Sequence, residues 1–270
     1  MTTPPKPSAS ASAAPDLETL MDQAEAALRA GRWFEAERLA LKALNAARRQ
    51  ERWEAMARIS LPLQEARRLR VGKALDRKKI AIVETTFHDA DPVAPGCYLV
   101  QPPQVGADAR RLRLAALRQE VPAAVICREP LNQIKRCPIV AIGAITIRAR
   151  ISPPKNEKKP SMEWFVTAME AIGDAAIESL DTGMDLDRQI DHVLACLDSI
   201  PDHEKLHQLL HEMCLRATKG FERRLPPRLF ADEEGEEGVE ESAEDEESGD
   251  SEDGDDSVKP AKSKKSDDDE

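Results

Sequence analysis

The sequence predicts a mostly helical α+β protein. Apolar residues recur every three or four positions in the first and last thirds of the body, which is the period of an amphipathic helix. The middle third contains short runs of Val, Ile, Ala and Cys, which are typical of buried strands. Only 3% of the 270 residues are aromatic, against 41% hydrophobic. We therefore expect a core of Ala, Leu, Ile and Val in closely packed helices.

The last forty residues reverse the charge of the chain. Residues 231 to 270 contain 20 acidic residues and 4 lysines, a formal charge of −16, so the total of −11 leaves +5 on residues 1 to 230. A run such as Asp232 to Glu237 has no apolar side chain to bury, and its charges repel each other, so we predict a disordered acidic tail over 223–270. A tethered polyanion acts as a solubiliser or competes with nucleic acid or acidic partners for a basic surface.

The remaining composition predicts a cytoplasmic protein. The leader, residues 1–15, is rich in Pro, Ser and Ala and is predicted to be disordered; it lacks the basic and apolar regions of a secretory signal. No stretch approaches about 18 uninterrupted apolar residues, so no membrane span is expected. The five cysteines contain no C-x-x-C pair. They therefore favour reduced, buried thiols over a disulfide framework.

The first folded segment, residues 16–72, reads as three helices. The first helix stops at Gly31, the second starts near Trp33, and the third starts at Trp53. Because proline lacks an N–H and clashes with the preceding turn, Pro62 is predicted to kink or split the third helix. The segment is therefore a helical hairpin followed by a capping helix.

The turn of this hairpin resembles a known repeat. The stretch Gly31–Ala36 has a small residue, an aromatic two positions later and an alanine three after that, and Ala43 and Leu44 continue the pattern. It resembles the turn between the two helices of a tetratricopeptide repeat, over about residues 17–50. The resemblance implies a protein-binding helical hairpin. The aromatic residues assigned to partner docking are Trp33, Phe34 and Trp53.

The middle segment, residues 77–153, is predicted to form a small α/β sheet. Four strands are predicted, at residues 80–83, 97–100, 123–127 and, as one long strand, 139–151. A cationic amphipathic helix over 107–120 joins the second strand to the third, which implies a right-handed parallel crossover. A stiff polar linker, residues 154–161, follows the sheet.

The last folded segment, residues 162–222, is predicted to be a helical bundle. Its three helices are expected at about 162–180, 186–198 and 202–219. Pro201 marks the boundary between the second and the third of them.

One motif in this bundle has the spacing of a metal site. His203 to His207 fits H-E-x-x-H, in which two imidazoles one helical turn apart bind zinc and the glutamate, here Glu204, activates a water molecule. His211 and Cys214 extend the same flank of the helix. The alternative interpretation is a set of polar residues that border an apolar stripe. The motif thus predicts a metal-dependent hydrolase or a structural zinc ion, and zinc is the one cofactor considered.

Polar residues at the strand ends form a second candidate site, since ligands of open parallel sheets bind outside the carboxyl ends of the strands. Carboxylates and a histidine there could hold a hard cation, and Arg128 could clamp an anion. The alternative is ordinary loop polarity, because no glycine-rich phosphate loop follows any strand. The residues concerned are Glu84, His88, Asp89, Asp91, Arg128 and Glu129.

Clustered arginines on the predicted helices form a third candidate, a basic patch for nucleic acid or an acidic partner. Few aromatic residues are present to stack on bases, so solvated helix faces are the alternative interpretation. The patch consists of Arg67, Arg68, Arg70, Arg110, Arg111 and Arg113.

These observations rank three functions. The first is an intracellular protein–protein interaction or scaffold protein with helical docking surfaces, a tethered acidic tail and an unidentified protein partner. The second is a metal-dependent hydrolase that uses His203, Glu204 and His207. The third is a nucleic-acid-associated protein whose acidic tail competes for its basic body.

Overall fold

The computed structural model describes residues 16–131 and 136–224. The predicted leader and residues 225–270 of the predicted tail lie outside the described residues. The mostly helical α+β fold is confirmed. In chain order the elements are α1 Leu17–Arg29, α2 Trp33–Arg49, α3 Trp53–Leu75, β1 Ile80–Val83, β2 Gly96–Val100, α4 Gly106–Arg118, β3 Ala123–Arg128, β4 Cys137–Ile142, β5 Thr146–Ile151, α5 Met162–Glu178, α6 Leu186–Ser199 and α7 Glu204–Ala217.

The turns that join α1 to α2 and α2 to α3 have the same backbone geometry. Each contains one residue with a positive φ, Gly31 at 73° and Glu51 at 52°. The N–H of the following residue, Arg32 or Arg52, donates to the carbonyl five positions earlier, at 2.9 Å in both turns. This hydrogen bond pairs a carbonyl that the end of the helix leaves free. Two equal turns therefore stack α1, α2 and α3 as antiparallel neighbours.

Helix α3 is the centre of the helical layer. It packs against α2 and α7 and, on another side, against β2 and β3. The predicted split at Pro62 is wrong, because the helix continues without interruption from Trp53 to Leu75. Ile59 and Leu63, which flank the proline, are both fully buried. Tertiary packing on several sides therefore holds the helix together where local preference alone would break it.

The sheet contains five strands in the order β1-β2-β3-β4-β5. The first three are parallel, with α4 between β2 and β3 as expected, whereas β4 and β5 are antiparallel to their neighbours. The prediction of one long strand over 139–151 is wrong. The chain turns back at residues 143–145, where the Ser199 hydroxyl donates to the Ile145 carbonyl at 2.6 Å. Uniform apolarity across this turn conceals it in the sequence.

The sheet separates two apolar clusters. Helix α4 covers one face, and a small cluster lies beneath it. Helices α3, α5 and α6 cover the other face. There a single continuous core contains residues from all three folded segments, between Leu17 and Ala217. Within the described ranges, no helix is both long enough and apolar enough to cross a membrane.

The ladder between β3 and β4 is short. Only Cys127 with Val140 and Arg128 with Ile139 are paired, although each strand has six residues. By contrast, β4 and β5 pair along six residues. We call the unpaired stretch, between residues 123–126 and 141–142, the strand fork. Buried backbone groups need partners, so side chains must reach the strand fork to supply them.

The first turn generates a stability prediction. Gly31→Ala is expected to lower the free energy of unfolding by about 1 kcal/mol, because an L side chain is strained at this positive φ. A Cβ at Gly31 meets no atom within 4 Å, so backbone strain is the only cause. Urea unfolding measures the change.

Gly72→Ala is the matched control. Gly72 lies in α3 with equally open surroundings but without a positive φ. The same substitution there should raise the free energy of unfolding by about 0.5 to 1 kcal/mol, because alanine favours the helix. Effects of the same sign at both glycines would contradict the turn assignment.

Candidate functional site

A buried group of charged side chains occupies the strand fork. Arg70 of α3 is 1% exposed and donates to Glu37 at 3.0 Å, to Asp202 at 2.5 Å and to the Ala123 carbonyl at 3.5 Å. Arg67 donates to the other oxygen of Glu37 at 2.8 Å. Burial by itself raises the pKa of Glu37, but the two guanidiniums outweigh it and hold the pKa below its ordinary value. The carboxylate is therefore ionised inside the core.

A third guanidinium enters the same region from α4. Arg113 is 8% exposed and donates to the carbonyls of Asp198 at 2.7 Å, Ser199 at 3.0 Å and Ile142 at 3.3 Å. It thereby pairs the last carbonyl of β4 and the end of α6. Burial lowers the pKa of Arg113, which the charges of Asp202 and Asp198 oppose in part. Within the described residues, no carboxylate lies at ion-pair distance from this guanidinium.

His203 lies beside this group at the start of α7. Its ring is packed against Gly173 of α5, where a Cβ would lie 2.1 Å from the Cγ atom. Its Nε2 atom is 3.4 Å from Glu170 and 3.9 Å from Asp174, which itself binds Lys205 at 2.6 Å. Burial lowers the pKa of His203, and the two carboxylates oppose this in part. The imidazole therefore faces α5 and its carboxylates.

The other predicted zinc ligands face different elements. His207 donates from Nε2 to the Pro201 carbonyl at 3.0 Å, and His211 donates from Nδ1 to the Ala57 carbonyl of α3 at 2.9 Å. Cys214 is fully buried, which raises the pKa of its thiol to about 12.

Glu204, the predicted catalytic base, is the first residue of α7 and accepts a hydrogen bond from Gln208 at 3.2 Å. Among residues 16–131 and 136–224, no three His, Cys, Asp or Glu side chains form a group that could hold a metal ion. The spacing of the motif along the helix therefore does not translate into convergent ligands.

The predicted basic patch is divided by burial. Arg67, Arg70 and Arg113 lie in the core, so they add no charge to the surface. The other three are exposed but have acidic neighbours. Arg68 binds Glu65 at 2.7 Å, Arg111 binds Asp108 at 2.9 Å, and Arg110 lies 4.0 Å from Asp198. The sequence pattern did not show which of the six are buried, nor that Glu65 and Asp108, each one turn away on the same helix, pair with Arg68 and Arg111.

The predicted strand-end residues separate into two groups. Glu84 accepts a hydrogen bond from Gln101, Arg128 ends β3 and Glu129 follows it, all at the edge where the parallel strands end. The loop residues lie elsewhere, beside α4. Asp91 accepts from the backbone N–H of His88 at 2.8 Å, and Asp89 lies 3.5 Å from Arg118. The structure therefore does not bring the six residues into one site.

The same edge carries a surface that the sequence motifs did not reveal. Arg128 ends β3, Arg136 precedes β4 and donates to the Arg150 carbonyl of β5 at 2.7 Å. The segment after β5 crosses this edge, where Glu157 lies 3.9 Å from Arg128. We define the carboxyl-edge surface by its cations: Arg128, Arg136, Arg150, Lys155, Lys158 and Lys159. These residues are scattered over 32 positions of sequence, so only the strand pairing unites them.

The aromatic residues assigned to docking are partly buried. Trp53 contacts Phe221 edge to face, with ring centroids 6.0 Å apart, and the guanidinium of Arg48 lies 4.9 Å from its ring. Trp33 and Phe34 are half-buried at the start of α2. Part of the expected docking surface is therefore covered by the chain itself.

A comparison with family models, curated proteins and solved structures finds no match to the chain. The tetratricopeptide resemblance of residues 17–50 stays a prediction.

The buried charge network predicts an asymmetry between two neighbouring arginines. Arg70→Met should lower the free energy of unfolding by about 3 to 5 kcal/mol, since it leaves Glu37 and Asp202 buried without a counter-charge. Arg68→Met, which removes an exposed pair two residues earlier, should cost under about 1 kcal/mol. Urea unfolding at neutral pH measures both. Equal effects would show that the network contributes no more than a surface pair.

Stability should also depend on pH through His207. Burial lowers the pKa of His207 to about 3 in the folded chain, from an ordinary value of 6.5. Below pH 6.5, therefore, the imidazole of His207 is protonated in the unfolded chain but stays neutral in the folded chain. The contribution of His207 to the free energy of unfolding is complete above pH 6.5. It falls by about 1.4 kcal/mol per pH unit as the pH drops toward 3. His207→Gln should flatten this slope in denaturation at pH 6.5, 5.5 and 4.5, and parallel profiles would contradict the assignment.

Proposed function

We propose that the chain is a protein–protein interaction or scaffold protein that binds an acidic segment of a partner protein at the carboxyl-edge surface. The observation that carries this proposal is a group of four exposed cations on that surface. Arg150, Lys155, Lys158 and Lys159 are exposed and make no ion pair within the described residues. Exposed cations without local partners attract and orient an acidic partner during encounter.

A paired cation of the helical layer provides the contrast. Arg58 of α3 contacts Glu18, Asp22 and Glu25 of α1, all within 3.4 Å. The pKa of Arg58 is raised, first by the hydrogen bond that its guanidinium donates to Glu25. Such surface pairs satisfy each other, so they offer little net charge to a partner. The contrast favours the carboxyl-edge surface over the arginines of the helices as the place of recognition.

An acidic protein segment fits this surface better than nucleic acid. Binding of single strands uses exposed aromatic side chains on which bases stack. Trp164 follows the cationic segment in the chain, but it is half-buried and donates its indole N–H to the Ser152 carbonyl at 2.9 Å. The defining residues of the surface are all Arg or Lys, which contact carboxylates and phosphates alike. Nucleic acid is therefore the alternative that the test must separate.

The helical layer supports a second docking surface for a scaffold. A groove of about 530 Å³ lies between α1, the start of α3 and the end of α7, with Met21, Arg52 and Trp53 among its lining residues. Grooves between helices accept peptide segments through apolar anchors. If the helical hairpin docks a partner, this groove is the place where a peptide segment fits.

Charge reversal tests the primary surface. Lys155→Glu/Lys158→Glu/Lys159→Glu should weaken binding of a poly-glutamate peptide by about tenfold at low salt, because three attractive charges become repulsive. The control, Lys42→Glu/Arg49→Glu/Lys219→Glu, makes the same change in net charge at exposed residues of the helical layer and should leave affinity within about twofold. Fluorescence anisotropy measures both in the full-length chain and in a chain that ends at residue 230.

Three outcomes distinguish a specific acidic-peptide site from non-specific charge attraction and from nucleic-acid binding. Selective loss in the Lys155, Lys158 and Lys159 variant supports the proposal. An equal loss of affinity in both variants would mean that net charge alone drives association. The proposed site would then be rejected. The third outcome is that a single-stranded oligonucleotide of equal charge binds more than about tenfold tighter than the peptide, with the same selective loss of affinity. The surface would then be assigned to nucleic-acid binding.

A further inference from the structure

A small cavity opens at the strand fork, on a different part of the molecule from the carboxyl-edge surface. Its volume is about 60 Å³, and it lies between α4, the ends of β3 and β4, α5 and the turn that joins α6 to α7. Ile142, Met169 and Ile172 give it an apolar wall. Arg110 and Arg113 of α4 also line it. An apolar cavity with a few convergent polar groups is the usual form of a small-ligand site.

The buried charges around this cavity do not balance. Arg67, Arg70 and Arg113 supply three guanidiniums, whereas Glu37 and Asp202 supply two carboxylates. Both carboxylates are already bound by Arg67 and Arg70. Among the described residues, Arg113 donates only to backbone carbonyls. A buried cation without a counter-charge is costly, so an anion beside Arg113 would be stabilised there.

We propose that the cavity at the strand fork binds a small organic monocarboxylate, with its carboxylate at Arg113 and Arg110 and its short apolar part against Ile142, Met169 and Ile172. Arg113 supplies the buried positive charge. Arg110 lies at the mouth, where its side chain is 43% exposed and its nearest carboxylate, Asp198, is 4.0 Å away. Its guanidinium is therefore able to turn toward an anion at little cost.

The size of the cavity limits the ligand. A cavity of about 60 Å³ admits only a small ligand. An anion of about four heavy atoms, such as acetate, fills such a space. So few atoms bind weakly, and the dissociation constant is expected between about 0.1 and 10 mM.

The acidic groups at the cavity do not exclude an anion. Asp202 is bound to Arg70 at 2.5 Å, so its charge is compensated. Glu170 is directed toward His203 at 3.4 Å, and its side chain is 55% exposed, where water screens it. The proposal is independent of partner binding at the carboxyl-edge surface.

A paired titration tests this site. Acetate is added to the full-length protein at constant ionic strength, and acetamide, its uncharged isostere, is added in parallel. Amide chemical shifts of Gly106, Ile142 and Ser199 report on the cavity walls. Acetate should produce saturable shifts with a dissociation constant of about 0.1 to 10 mM, and acetamide should bind at least about tenfold more weakly, since only the charged ligand compensates Arg113.

Two neighbouring arginines supply the variants. Arg110→Gln should raise the dissociation constant of acetate by about tenfold. Arg111→Gln is the control, because Arg111 is equally exposed on α4 but binds Asp108 and does not line the cavity. Both positions are exposed, so neither variant threatens the fold. Shifts that do not saturate, equal binding of acetamide, or equal effects of the two variants would each overturn the proposal.

Discussion

The structure depends on how the short ladder between β3 and β4 is completed. Two strands of six residues share two residue pairs, so backbone groups that face the strand fork have no partner in the neighbouring strand. Arg70 and Arg113 donate to Ala123 and Ile142, the outermost carbonyls of the strand fork. Charged side chains are costly to bury, and these are retained because each bonds to several groups at once. They fasten α3, α4 and the turn before α7 to the sheet.

This arrangement also determines where charge is left for function. Buried arginines such as Arg70 and Arg113 bind carboxylates or backbone carbonyls in the core. Three exposed arginines of the helices, Arg58, Arg68 and Arg111, pair with nearby carboxylates. A group of exposed cations lies at the edge where the parallel strands end, in residues from β5 and the following segment. Within the strand fork, one guanidinium remains without a carboxylate. Partner recognition and small-ligand binding are thus proposed at two places where cations of the described residues lack a carboxylate partner.

The sequence predicted local structure better than it predicted sites. Helical periodicity and the turn at Gly31 located α1, α2 and α3, since these signals are local. The split predicted at Pro62 does not occur, because packing of α3 on several sides overrides a local preference. The H-E-x-x-H spacing places two histidines on one helix, but His203 lies against α5 and His207 against the preceding turn. A motif defines which residues are close along a helix, and it says nothing about the partners that other elements bring.

The sequence by itself determined the mostly helical α+β class, the position of most helices and strands, and the acidic composition of the last forty residues. These properties follow from periodicity and composition, which a linear chain displays. Only the tertiary structure decided that Arg70 and Arg113 are buried, that β3 and β4 part after two pairs, and that Arg150 and Lys158 share a surface. The physical reason is that burial and charge pairing depend on contacts between residues far apart in sequence, such as Arg70 with Asp202.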